Sequence, residues 1–482
     1  MNHKMNSFIL GQVMLMIAML MIPSAVCGMI YGERAYEWFG PAIGLALAGW
    51  AVLPKRRPKE GTVIFARDGF FIVAAAWVLM SVLGAVPFMC WGMPVWDAVF
   101  ESVSGFTTTG ASILTDVEAL PYGLLFWRSF THWVGGMGVL VFVLAVLPLA
   151  DNTSMVLMQA EVPGPEVGKL VPRMRSTAKI LYVVYTAMTI LLTALLWVGG
   201  MSLFDSLCNA MGVAGTGGFA IKNAGIAYYH SAYVDIVMAT FMLLFGVNFN
   251  LYYFILIGKF SLAWKNEELR WYLGIILVTT LTIALSLLPI YNTLGESLRY
   301  SYFQVASIIT TSGFATADFA NQWPLFAGHV LVFLMFTGGC AGSTAGGLKM
   351  SRFMILCKNF VTEVRHMVHP KMVTVIRIDR RPVPKETLMG VRIYLAVYTL
   401  ILIGVTLLLA LDGHDFTTNF TATIACLNNI GPGLGKVGPY GGFSFYSPFA
   451  KGVLSLAMLL GRLEIYPILV LFSPRIYRRH VC

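Results

Sequence analysis

Long apolar runs separated by short charged stretches dominate the chain. A helix rises about 1.5 Å per residue, so about 20 apolar residues cross a hydrocarbon core of roughly 30 Å. Ten segments qualify as spans: 8–30, 37–53, 69–91, 123–149, 178–200, 232–258, 271–291, 325–357, 391–411 and 449–473. Four shorter apolar stretches, 96–106, 203–213, 298–309 and 417–428, cannot span. They read as re-entrant segments, tolerated at membrane depth only where protein or a water-filled cavity satisfies the backbone beyond them. After the first two helices the chain therefore repeats, four times, a unit of helix, short apolar segment, glycine-bearing loop and helix. The expected organisation is a two-helix extension at 1–60 and four units at 61–160, 161–265, 266–385 and 386–482.

Composition removes the competing classes. Hydrophobic residues make up 57% of the 482 and charged ones 12%, against roughly 25% charged in soluble domains. Mean hydropathy is +0.75, which excludes an ordinary soluble enzyme, a disordered chain and a secreted disulfide scaffold. The seven cysteines include no CxxC pair, so neither a zinc site nor a disulfide framework is indicated. His366 and His369, the only close histidine pair, read as part of a solvated loop. The apolar stretch from Phe8 to Ile30 exceeds the roughly 7 to 15 residues of a signal-peptide core and is expected to remain as a helix.

The net charge of +10 suits either nucleic acid or an anionic membrane face, and its placement decides. With the N-terminus in the cytoplasm, 26 of the 33 basic residues fall inside, including Lys55-Arg56-Arg57-Pro58-Lys59 and ten from Lys349 to Arg392. The inner side then carries +16 and the outer side −6, a positive-inside signature that needs no nucleic acid. Both termini are expected in the cytoplasm.

Aligning the four loops on one glycine gives Thr108-Thr109-Gly110-Ala111, Thr216-Gly217-Gly218-Phe219, Thr311-Ser312-Gly313-Phe314 and Gly431-Pro432-Gly433-Leu434. Asp97 and Asp205 each stand 13 residues before their glycine, where each can cap a short helix. The fourth unit has Phe420 at that place. Backbone that reaches membrane depth without bonding itself leaves carbonyl oxygens free, and these can replace the hydration shell of a cation. Glycine allows the turn and the close approach. Ordinary turns or helix-packing glycines are the alternative for a single loop, but four loops between sub-spanning and spanning segments favour the filter.

Two further elements lie at membrane depth. The segment Gly338-Gly339-Cys340-Ala341-Gly342-Ser343-Thr344-Ala345-Gly346-Gly347 interrupts the eighth span with five glycines in ten residues. It reads as a flexible intramembrane loop, or, because Gly338, Gly342 and Gly346 are four apart, as a small-residue packing ridge. Lys349 and Arg352 follow and are expected to tie its end to the cytoplasmic surface. Arg462 and Glu464 sit in the last span two residues apart, too close in sequence to pair on a helix. Arg462 should face water or another helix's carbonyls, as a pathway residue or a structural anchor.

Several stretches together resemble a known family: Ser104-Gly105-Phe106-Thr107-Thr108-Thr109-Gly110-Ala111, Phe126-Trp127-Arg128, Trp133-Val134-Gly135-Gly136-Met137-Gly138, Asn248-Phe249-Asn250, Gly338 to Lys349 and Gly461-Arg462-Leu463-Glu464. The chain resembles the membrane subunits of the Trk/Ktr/HKT potassium transporters, most closely the bacterial TrkH type, over essentially its whole length. The resemblance implies four pseudo-symmetric M1-P-M2 pore units around one ion pathway, preceded by two N-terminal helices, in an all-α polytopic membrane protein. It implies potassium uptake across the bacterial inner membrane, K+ as the transported ion and no organic cofactor. It also implies a homodimer in membrane lipid and a cytosolic TrkA-type ring that binds nucleotides.

By that resemblance the filter glycines are Gly110, Gly218, Gly313 and Gly433, and Gly431-Pro432-Gly433 departs from the usual Thr/Ser-x-Gly. Gly338, Gly339, Gly342, Gly346 and Gly347 form the gating loop, and Arg462 lies in the pore beneath the filter. The runner-up is a sodium- or proton-coupled symporter, for which Glu464 and Asp235 are the available carboxylates. An intramembrane enzyme lacks its residues: there is no HExxH or paired intramembrane Asp, and His132, the nearest candidate, reads as an interface residue.

Overall fold

A computed structural model describes residues 3–54, 66–138, 174–372 and 374–471. The Lys55 to Lys59 run, the far part of the 123–149 span and the basic residues after 471 lie outside the described residues. Helices α1 (His3–Ile30) and α2 (Ala35–Val52) pack on each other and against α3 (Ala66–Trp91). Then come α4 (Val95–Phe106) and α5 (Tyr122–Gly136), followed by α6 (Met174–Val198), α7 (Leu203–Gly215), α8 (Ala232–Phe245) and α9 (Phe249–Leu256). After α10 (Phe260–Lys265) follow α11 (Glu267–Tyr291), α12 (Leu294–Ile309), α13 (Leu325–Met335) and α14 (Met350–Val368). A two-residue hairpin, β1 (Arg377–Ile378) and β2 (Arg381–Pro382), precedes α15 (Lys385–Leu409), α16 (Phe416–Leu427), α17 (Pro448–Arg462) and α18 (Tyr466–Leu471).

The short helices α4, α7, α12 and α16 are largely buried, while the long ones present broad apolar surface outward, such as Val183, Ile190, Leu277 and Leu285. That inversion of the soluble pattern is what lipid as solvent produces. Among the described residues five helices are long and apolar enough to cross a membrane unbroken, and one bent pair makes a sixth.

Four of the expected spans are broken: the 123–149 helix already ends at Gly136, with Gly138 at a left-handed φ of 79°, and the other three break for visible reasons. The 232–258 span bends by 94° between α8 and α9. Asn248 caps α9 through its side chain, and the Phe249 N–H donates to Gly342 O at 3.0 Å instead of continuing the helix. The 325–357 span stops at Met335 and resumes at Met350 around the glycine-rich loop, so the packing-ridge alternative fails: no helix runs through Gly338, Gly342 and Gly346. The 449–473 span stops at Arg462, with Glu464 and Ile465 in left-handed conformations.

The expected aspartate caps are also corrected. Pro94 stands at the start of α4 without a side-chain cap, and Asp97, inside the first turn, pairs with Lys451 at 2.5 Å. Ser202 caps α7, and Asp205 accepts from the Tyr229 hydroxyl at 2.9 Å. Both carboxylates still lie in first turns, where the helix dipole favours them. In the fourth unit the cap is Asp415, whose side chain accepts from Thr418 N.

Candidate functional site: four turns, a loop and an arginine

Each short buried helix ends in the same turn. Thr108, Thr216, Thr311 and Asn429 hold left-handed φ values of 55°, 54°, 57° and 56°. The next residues, Thr109, Gly217, Ser312 and Ile430, each donate their N–H back to a helix carbonyl at 2.8–2.9 Å. The following glycines, Gly110, Gly218, Gly313 and Gly431, have φ of 77°, 79°, 78° and 94°. A β-branched threonine in that region costs of order 1–3 kcal/mol and persists only where its surroundings over-determine it.

The four turns close a ring. A side chain on Gly110 would run into Gly217 O, on Gly218 into Ser312 O, on Gly313 into Ile430 O, and on Gly431 into Thr109 O. Each strand thus packs its glycine on the carbonyl of the next, and the fourth returns to the first. The C-terminal, negative ends of four helix dipoles adjoin this ring. A cavity of about 240 Å³ lies on it, lined by Gly110, Gly218, Gly313, Gly431 and Pro432 among others.

The fourth alignment is corrected by two residues. Gly431, not Gly433, occupies the position of the other three glycines, and the strand that matches Thr108-Thr109-Gly110 is Asn429-Ile430-Gly431. Gly433 lies beyond the ring, donating to Val437 O at 2.7 Å and packed on Thr421. Asn at the left-handed position was the available signal, because its short polar side chain tolerates that conformation.

The ring has buried supports that the sequence did not disclose. His132 is fully buried rather than at an interface: its Nδ1 is 2.8 Å from Gly105 O and its Nε2 accepts from Phe219 N at 3.2 Å, so Nδ1 carries the proton in this pairing. One turn earlier Arg128 is also buried and pairs with Glu101 at 2.8 Å. Helical spacing of four residues sets both side chains on one face of α5, against the first and second turns.

Beneath the ring the 338–349 segment is held from every side by backbone and side-chain bonds. Cys340 N donates to Gly246 O at 2.9 Å, Ala341 N to Glu268 Oε1 at 2.8 Å, and Gly346 N to the Thr311 hydroxyl at 2.6 Å. The last bond joins the loop directly to the third turn of the ring. Gly338, Gly342 and Gly347 take left-handed φ, and a side chain at Gly339 or Gly346 would meet Ala345 or Asn428 O.

Arg462 reaches the same loop. Its Nη1 donates to Thr344 O at 3.0 Å, and its Nη2 donates to Gly136 O at 2.8 Å and to Gly135 O. Helix carbonyls and a loop carbonyl thus accept from both terminal nitrogens of the guanidinium. Lys349 and Arg352, expected at the surface, are buried instead. Lys349 Nζ donates to Ala345 O, and Arg352 pairs with Glu464 at 2.5 Å, tying the start of α14 to the break after α17. An ammonium and a guanidinium at this depth need partners within the protein.

Comparison with known proteins decides the family. The TrkH profile, described as "Cation transport protein", matches residues 42–477. The chain belongs to the TrkH family. The Trk system potassium uptake protein TrkH of Escherichia coli K12 is 36% identical, covering 99% of this chain and 100% of its own length. TrkG of the same organism is 35% identical, covering 95% of each. The crystal structure of the potassium transporter TrkH from Vibrio parahaemolyticus superposes with a TM-score of 0.87 at 32% identity, over 99% of this chain and 100% of that one.

As a TrkH-family protein the chain is a membrane cation transporter and not an enzyme. Asn223 Nδ2 donates to Asp116 Oδ1 at 2.8 Å and holds that exposed carboxyl below its ordinary range, so it stays anionic near neutral pH beside the ring's cavity wall at Val117 and Asn223.

Proposed function

We propose that the chain takes up potassium across the bacterial inner membrane through one pore per protomer. The filter is the ring of Thr108-Thr109-Gly110, Thr216-Gly217-Gly218, Thr311-Ser312-Gly313 and Asn429-Ile430-Gly431. The observation that carries this reading is the closed cycle in which each glycine faces the next strand's carbonyl. Free carbonyls on a common axis replace water around a large, weakly hydrated cation, and the adjoining helix C-termini oppose anions. The 338–347 loop with Arg462 is the gate: it is bonded to the filter through Thr311 and places a permanent positive charge below it. The relatives named for potassium uptake support the choice of ion.

Uptake by purified protein in liposomes, across a cation series, tests this. Potassium and rubidium are expected to enter well ahead of sodium and lithium, without a requirement for a sodium or proton gradient. Equal entry of potassium and sodium removes the filter reading, and strict gradient dependence favours the symporter.

The same reading includes a homodimer and a cytosolic nucleotide-binding ring, with the basic stretch after the loop as its landing surface. Arg377, Arg380 and Arg381 are exposed on the hairpin, and Asp379 between them accepts from Glu267 N at the start of α11 at 2.7 Å. The next residue, Glu268, holds the loop at Ala341. Reversing the three arginine charges is expected to lose co-purification of the ring while the transporter stays folded. Retained co-purification contradicts the surface.

A further inference from the structure

Only the first of the four short helices carries a charge directly behind the ring. Nine residues before each filter glycine stand Glu101, Asn209, Gln304 and Ala422. Glu101 and its partner Arg128 have side chains 0% and 1% exposed. The carboxylate accepts from Arg128 Nε at 2.8 Å, from the Ser112 hydroxyl at 3.0 and 3.1 Å, and from Ile113 N at 3.1 Å. The guanidinium reaches on to Ala220 O at 3.2 Å and Ser112 Oγ at 3.3 Å, and lies 4.0 Å over the Phe219 ring.

Ser112 and Ile113 follow Gly110 on the first strand; Phe219 and Ala220 follow Gly218 on the second. One ion pair therefore grips the outer ends of two adjacent filter strands at once. The corresponding exits in the third and fourth units are held by neutral groups: Ser307 and Gln304 donate to Phe314 O, and Thr421 donates to Leu434 O. A guanidinium presents its donors in a rigid planar fork, so its contacts fix relative position as well as supplying energy.

We propose that Arg128 and Glu101 are positioning residues that set the spacing of the first and second filter strands and thereby cation discrimination. The inference rests on the filter reading above. Carbonyls selecting among cations that differ by fractions of an ångström depend on where their strands are anchored. A buried pair is poor evidence of stability in itself, since hydrophobic replacements are often no worse. Here both terminal nitrogens of the fork also donate to filter strands, to Ala220 O and to Ser112 Oγ, which a purely structural pair does not require.

The test is uptake of lithium, sodium, potassium, rubidium and caesium by full-length protein in liposomes, for the parent and three variants. Arg128→Lys keeps the ion pair but loses the fork that reaches Ala220 O and Ser112 together. The double change Glu101→Gln with Arg128→Met removes both charges, so that neither is left buried alone. Asp97→Asn breaks the Lys451 pair on the same short helix away from the strands. Arg128→Lys and the double change are expected to alter the rubidium-to-sodium ratio by about tenfold, within the ~10²-fold that a ~1 Å misplacement can cost at a site. Asp97→Asn should lower thermal stability and leave the ratio unchanged.

An unchanged ratio in both Arg128 variants overturns the proposal, as does an equal shift in Asp97→Asn. Should Arg128→Lys fail to fold, the double variant decides alone. A parent with no preference among the ions removes the filter reading itself, whereas a selective parent with an unchanged ratio in the Arg128 variants removes only the clamp.

Discussion

Arg462→Ala is expected to raise rubidium uptake per folded protein, measured without any cytosolic partner, on the order of tenfold. Two effects act in the same direction. A unit charge about 8 Å from a passing cation opposes it by roughly 2 kcal/mol at an effective dielectric of about 20. Removing it also removes the bond to Thr344 O, one of the links that hold the loop in place. The opposing effect is loss of the bonds to Gly135 O and Gly136 O at the end of α5, which lowers folded yield. Normalising to folded protein separates the two. Deleting Gly342 and Ser343 should raise uptake similarly, and the combination should add little, because elements that act together are not additive. If uptake per folded protein falls in all three, Arg462 is an anchor and the loop is not a gate.

The second large effect concerns the register of the fourth strand. Gly313→Ser and Gly431→Ser each force a side chain into a left-handed conformation, at about 1–2 kcal/mol for most residues. Each also drives a Cβ into the neighbouring strand's carbonyl, Ile430 O or Thr109 O. The rubidium-to-sodium ratio is expected to fall by about tenfold in both, since the carbonyls they displace are the proposed ligands. The atoms nearest a side chain at Gly433 belong to the Thr421 and Val437 side chains and not to a ring carbonyl. Gly433→Ser is expected to cost stability and spare the ratio. A ratio lost in Gly433→Ser and kept in Gly431→Ser would restore the alignment on Gly433.

What the sequence discloses follows from which physics acts locally. Hydropathy and length mark the short helices, because membrane depth penalises any other arrangement of backbone. Gly110, Gly218 and Gly313 are legible because threonine two residues before each is shared. The fourth turn is not, because its left-handed residue is Asn429 and the glycine pair around Pro432 suggests a different centre. The breaks in α8–α9 and after α17 are invisible in hydropathy. They arise from tertiary bonds, Phe249 N to Gly342 O and the Arg352–Glu464 pair, whose partners lie far away in sequence. Arg128 and Glu101 are likewise 27 residues apart, so no local pattern marks them as a pair. His132 gives no sequence signal of its role, since its two partners are backbone atoms of other elements.

The ring of carbonyls is the centre of the account, and crystals of the purified protein grown in rubidium test it directly. Anomalous scattering from rubidium should show density on the axis enclosed by the Thr109, Gly217, Ser312 and Ile430 carbonyls, reduced when potassium is added and retained when sodium is added. No density at the ring, or density displaced equally by sodium and potassium, contradicts the filter.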